Sequence, residues 1–186
     1  MKQEVASFLD YVAHSPTVFQ ATQQACDMLD AAGFTRLSEH ESWEIFPGGR
    51  YYVTRNRSAL VAFAVPENGF THCQIVASHG DSPTFKLKAH AEGEAAGAYI
   101  RLDVEPYGGM IMSTWFDRPL SIAGRALVRE DGRLVTRLID LDRDALLIPN
   151  MPIHFNRDIN NGYAYNPQVD MLPVFGDLSA KGALAS

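Results

Sequence analysis

The run "SALVAFAV" (58–65) is apolar at nearly every position, and "THCQIVAS" (71–78) carries Cys73, Ile75, Val76 and Ala77. Successive side chains of a strand point to opposite faces, so such runs suit strands covered on both sides. "GGRYYVTRN" (48–56) precedes them, and Gly, Pro and Asn punctuate the gaps between the three. Upstream the period is helical: Val5, Phe8, Leu9 and Val12 share a face until "HSP" (14–16) breaks it. Ser15 is placed to cap a second helix with Pro16 at its first position. Phe19, Thr22, Cys26, Leu29 and Ala32 continue that helix, and Gly33 suits its C-terminal cap. Helices followed by buried strands predict an α/β domain.

From about residue 89 the texture changes. "AHAEGEAAGA" (89–98) reads as small and flexible, after which 98–110, 121–131 and 133–141 alternate or nearly alternate. Asp131–Gly132 between the last two runs is a strong hairpin signal. Pro149, Pro152, Pro167 and Pro173 mark residues 142–175 as mostly loop, and the tail from 176 shows no closing element. The predicted organisation is therefore an α/β segment over 1–88 and a β-rich unit over 89–186, inserted after the run ending at His79. A chain of 186 residues, 46% hydrophobic, can build such cores. Its net charge of −6 offers no basic stripe for a phosphate backbone, so nucleic acid is not an expected partner. No stretch reaches the length of a membrane span, and residues 1–5 do not read as the start of a signal peptide. Cys26 and Cys73 lie in apolar contexts and read as buried free thiols. A cytoplasmic protein is expected.

Chemistry is concentrated in few places. In "VASHGDSPTFKLK" (76–88), His79 and Asp81 follow an apolar run. Imidazole is a good zinc ligand, and a nearby carboxylate can fix its tautomer by accepting the other ring N–H. Strand ends in α/β sheets are also where ligand crevices form. The same spacing equally suits a polar turn with an Asx motif before Ser82–Pro83. His154 in "NMPIHFNRDIN" (150–160) reads, on its surroundings, as a core histidine bonded to backbone. "STWFDRPLS" (113–121) suits an aromatic anchor and a charged turn, and Gly108–Gly109 a turn or bulge. No dinucleotide-binding glycine spacing, nucleophile elbow or HExxH helix is present.

Seven stretches nevertheless stand in a familiar order: "FLDYVAHSPTVFQATQQ", "LDAAGFTRL", "GGRYYVTRNRSALVAF", "ASHGDSP", "VEPYGGM", "TWFDRPLSIAGR" and "IPNMPIHFNRDIN". Together, from about Phe8 to Pro173, they resemble the M18 metallopeptidases, the aspartyl aminopeptidase family. The resemblance implies a dinuclear zinc exopeptidase whose α/β catalytic domain is interrupted by a β-rich dimerisation domain, acting on peptides with acidic N-terminal residues. His79 matches the first metal-ligand histidine, and Asp81 the neighbouring aspartate that orients it. His154 matches a histidine of the inserted domain that reaches the partner subunit's active site. Zinc in such a site lowers the pKa of bound water to roughly 7 and polarises the scissile carbonyl.

Two departures stand out. The family usually carries Thr where this chain has Gly80, which removes a β-carbon and loosens the backbone. Family members are also much longer, and the part after the insert would supply the bridging aspartate, a Glu-Glu pair, a further aspartate and the last histidine. Glu39–His40–Glu41, Glu105 and Asp117 do not substitute for these. One ligand is fewer than the three protein ligands a catalytic zinc takes, so the resemblance implies a portion of an aminopeptidase that is inactive alone. The alternative is a non-catalytic oligomerisation or regulatory module of the same origin.

Overall fold

The computed structural model describes residues 2–184; Met1 and the last two residues of the tail, Ala185 and Ser186, lie outside them. The chain divides into two units. The first holds residues up to Ser82 together with Ala123–Asp140, and the second holds Pro83–Ile122 and the chain from Leu141 onward.

In the first unit, α1 (Gln3–Ala13) and α2 (Val18–Ala31) form where the helical period is read. The cap differs from the expectation. Thr17, in extended backbone, accepts the Phe19 amide at 3.2 Å, while the Ser15 amide closes the end of α1 on the Val12 carbonyl. Two cap-competent residues flank Pro16, and the helix begins after the second. At the other end Gly33 takes φ +76°, its amide reaching the Asp30 carbonyl and the Phe34 amide the Leu29 carbonyl. That pair of bonds is the Schellman closure, which needs a residue at ease in the left-handed region.

A three-stranded sheet follows in the order β1 (Thr35–Leu37), β2 (Arg50–Arg55), β3 (Ala59–Ala64), with β1 parallel and β3 antiparallel to β2. Asn56 and Arg57, both at positive φ, turn β2 into β3. The central strand carries the core: Tyr51 and Tyr52 are adjacent and both buried, so both faces of β2 are covered. Tyr52 donates to Asp30 of α2 at 2.8 Å, which ties helix to sheet.

Burial, with the Asp30 hydrogen bond second, pushes the Tyr52 hydroxyl up to about 12 from 10.0. A folded pKa above the unfolded one gives stability that is complete below pH 10 and is lost as pH rises through about 12. Tyr52→Phe should therefore flatten the alkaline limb of the stability profile and cost about 1 kcal/mol at neutral pH. Urea midpoints measured from neutral to alkaline pH, with phenolate absorbance, check both.

The two apolar runs behave otherwise than expected. β3 is an edge strand with Val61 61% exposed, and residues 71–78 form no strand, leaving Ile75 82% and Val76 99% exposed. Apolar residues on both faces of a run need covering layers, and the described residues of this unit supply none. Cys73 is consequently exposed rather than buried, whereas Cys26 is buried on α2; both are free thiols.

The Asp131–Gly132 turn joins β7 (Ala123–Glu130) to β8 (Arg133–Asp140) with both turn residues at positive φ, as the dipeptide predicts. This hairpin groups with the first unit. Arg125 of β7 lies over the Phe19 ring at 4.3 Å and donates to the Asn56 carbonyl at 2.7 Å, and Gln20 donates to the Ile139 carbonyl at 2.9 Å.

The second unit is an antiparallel sheet in the order β4-β5-β10-β9-β6. Its strands are β4 (Thr84–Ala95), β5 (Tyr99–Tyr107), β6 (Pro119–Leu120), β9 (Leu146–Leu147) and β10 (Val174–Asp177). The stretch expected to be flexible, 89–98, is instead the second half of β4 and a tight turn. Ala96 and Gly97 both take positive φ, and Ala95 pairs with Tyr99. Four residues of β4, 88–91, bulge opposite Asp103. The alternation read in β5 is seen directly: Ile100, Leu102 and Val104 are buried, and Ile148, Met171 and Leu172 complete the core. Residues 142–175 are mostly loop, as expected.

Trp115 meets Phe85 edge-on at 5.1 Å and Phe116 packs on Tyr165 at 5.1 Å, so "STWFDRPLS" is an aromatic anchor. The adjoining Asp117 takes positive φ and accepts the Asn150 amide. The tail is held too. Glu92 accepts the Leu184 and Gly182 amides, which draw its carboxyl below the usual range, and Lys181 pairs with Glu94 at 2.7 Å.

Candidate functional site

His79 lies in the first unit at the end of the extended apolar segment, its side chain 82% exposed. Ser82 precedes Pro83, which disfavours helix there and delivers the chain extended into β4. His79 Nδ1 stands 2.7 Å from the Asp81 main-chain carbonyl and 3.4 Å from its carboxylate oxygen Oδ1. A carbonyl can only accept, so Nδ1 is the donor here, and a neutral ring of this tautomer has its lone pair on Nε2. One nitrogen is tied and the other is chemically suited to a transition metal. The tie runs chiefly through the backbone of Asp81 at this geometry, with the carboxylate the more distant partner.

Gly80 is not forced by the fold. Its φ is not positive, and a β-carbon added there meets nothing within 4 Å. The residue usual at this position in the family therefore fits without displacing the turn.

His154 belongs to the second unit. It is exposed in a turn closed by the Phe155 and Asn156 amides on the Pro152 carbonyl, with Phe155 beside it also exposed. The core reading of this histidine does not hold. A solvent-facing turn carrying Ile153, His154 and Phe155 has the form of a contact loop rather than of a core element.

Among the described residues no three of His, Cys, Asp or Glu come together so as to hold a metal ion. His79 with Asp81 is short of the three protein ligands a catalytic zinc requires, so the described residues alone do not fit a zinc site. Other candidates have structural occupations. Glu39 pairs with Arg55 at 2.8 Å, and Asp117 holds the Asn150 amide. Arg118 reaches the Thr114 carbonyl at 3.4 Å, and Arg125 is committed to Phe19 and Asn56. Among the described residues, none missed in the sequence joins His79 to make a fuller donor set. No helix among the described residues is long and apolar enough to cross a membrane.

Among the described residues, the first unit thus offers one imidazole held by Asp81 and no complete donor set. The family model described as "Aminopeptidase I zinc metalloprotease (M18)" matches residues 11–183. A probable M18 family aminopeptidase 2 of Clostridium acetobutylicum is 43% identical over 191 residues, covering 97% of this chain and 43% of the relative. The solved Ape4–Nbr1 complex superposes with a TM-score of 0.86 at 39% identity, over 97% of this chain and 35% of that one. The dodecamer of S. cerevisiae mApe1 gives 0.76 at 26% identity, over 93% and 38%. The chain belongs to the M18 peptidase family. It spans less than half the length of the curated relative it matches.

Proposed function

We propose that this chain is part of a zinc metallo-aminopeptidase that removes acidic N-terminal residues from peptides. In this reading residues 1–88 are a piece of the catalytic domain and residues 89–186 belong to an inserted dimerisation domain. His79 is a metal ligand of a dinuclear site, Asp81 orients it, and His154 reaches the active site of a partner subunit. The observation that carries the reading is the M18 match over 11–183, in which the only His-x-Asp of the chain follows the apolar segment of the α/β unit. The dodecamer of S. cerevisiae mApe1 supports a homo-oligomeric assembly. A cytoplasmic setting is part of the same reading.

No hydrolytic step is assigned to the 186 residues alone, because their donors do not complete a zinc site. Purified chain should bind zinc no more tightly than about micromolar and release no aspartate from aspartyl peptides. Calorimetric zinc titration with an amino-acid release assay is the check. Stoichiometric tight zinc together with turnover would overturn the reading of this chain as an incomplete site. Coding sequence continuing beyond Ser186 with a Glu-Glu pair and a late histidine would support the enzyme.

A further inference from the structure

We infer that Asn161–Gly162 is a self-modification site, at which the chain converts Asn161 to aspartate and isoaspartate through a succinimide. Water is the one co-reactant, and the conversion does not depend on the enzymatic reading above.

The chemistry is intramolecular. The Gly162 main-chain nitrogen loses its proton and attacks Cγ of the Asn161 side chain. The new N–C bond closes a five-membered ring, and the side-chain amide takes up a proton and leaves as ammonia. Water then opens the ring at either carbonyl, giving aspartate or isoaspartate. A side chain on the following residue obstructs the attack, and glycine has none. The attacking amide must also be free of other hydrogen bonds, and the turn must be open to water.

Five asparagines lie between 150 and 166, and their surroundings single out one of them. The Met151 amide, the attacker for Asn150, already donates to that residue's Oδ1 at 2.9 Å. The Asn161 amide, the attacker for Asn160, donates to the Asp158 carbonyl at 2.8 Å. Asn156 is followed by the bulky Arg157, and Asn166 by Pro167, whose nitrogen carries no hydrogen. Asn161 alone among the five is followed by glycine. Gly162 takes φ +87°, a β-carbon added there meets nothing within 4 Å, and both residues are exposed. Among the described residues, neither the Gly162 amide nor the Asn161 side chain makes a hydrogen bond. The chain's other Asn–Gly pair, Asn68–Gly69, is exposed with its glycine at φ +74° and is expected to react likewise.

The product alters its own turn. Isoaspartate adds a methylene to the main chain between the amide held by Asp158 and Gly162. Either product puts a new carboxylate on the stretch that also carries His154, in a chain already at a net charge of −6.

The test ages the purified 186-residue chain at neutral and mildly alkaline pH. Its peptides are mapped by fragmentation mass spectrometry, and isoaspartate is read by enzymatic methylation. Asn161 should convert at least about tenfold faster than Asn150, Asn156, Asn160 or Asn166, because only its attacker lacks a side chain. The rate should rise with pH, since the nitrogen attacks after losing its proton. With the turn open, the folded chain should react within about tenfold of the rate in urea. Asn161→Gln keeps the amide but has to close a six-membered ring. It should remain unmodified at 161, with circular dichroism and urea midpoint unchanged.

An unconverted Asn161 would overturn the inference, as would conversion spread evenly over the five asparagines. So would aspartate formed without isoaspartate, a folded-state rate far below the rate in urea, or equal loss of ammonia from Asn161→Gln.

Discussion

His79→Ala, placed in a complete M18 aminopeptidase carrying this segment, is expected to lower kcat/KM for N-terminal aspartate release by about 10³-fold or more. A bound metal contributes several kcal/mol of transition-state stabilisation, and each 1.36 kcal/mol is tenfold in rate. The side chain is exposed and bonds to Asp81, so the substitution removes the imidazole without opening a cavity. Circular dichroism and the urea midpoint should therefore stay within about 0.5 kcal/mol of the parent. Metal analysis should show reduced zinc. Retained activity with full zinc would refute the ligand assignment. His154→Ala is the internal comparison: turnover should fall while zinc content holds, because that histidine is assigned to a partner's site and not to a metal.

Leu102→Ala should cost about 2–5 kcal/mol, the range for deleting a fully buried leucine when the surroundings cannot close the void. Leu102 is completely buried on β5 and its amide donates to the Pro173 carbonyl at 2.8 Å, so the backbone around it is fixed on two sides. Few other residues share that core: Ile100, Val104, Ile148 and Met171 are its fully buried or nearly buried companions. Against a total of about 5–15 kcal/mol for a domain, the loss is enough to unfold the second unit at modest urea. Leu127→Ala, at an exposed position of β7, should stay within about 0.5 kcal/mol. The chain has two tryptophans, Trp43 in the first unit and Trp115 in the second. In a Trp43→Phe background the fluorescence of Trp115 follows the second unit. An unshifted transition in Leu102→Ala would show that β5 is not the centre of that core.

What could be read from the residues depended on whether local chemistry or distant chain decides the outcome. The helices, the Asp131–Gly132 turn and the alternation of β5 are written in short-range terms, and the structure carries each. Ser15 and Thr17 differ by two positions and share the same capping chemistry, so the sequence could not choose between them. Residues 89–98 looked flexible because Ala and Gly say little about strands. Their order comes from pairing with β5, which no local pattern reveals.

Residues 71–78 mark the opposite case, since their composition demands layers that the described residues do not contain. The candidate site divides along the same line. His79 and Asp81 stand two positions apart, and their mutual geometry is local. The role of His154 came from resemblance alone; its own neighbourhood suggested a buried residue, and the turn is exposed.

The position of β10 in its sheet also sets a clock on synthesis. β4 and β5 leave the ribosome early, with β6 and β9 after them, yet β10 alone links those two pairs and is the last of the five translated. Until Val174–Asp177 emerges, the nascent second unit is two separate ribbons, and a two-stranded ribbon is marginal in water. A ribosome that stalls before residue 174 would leave those ribbons unjoined and in need of a chaperone.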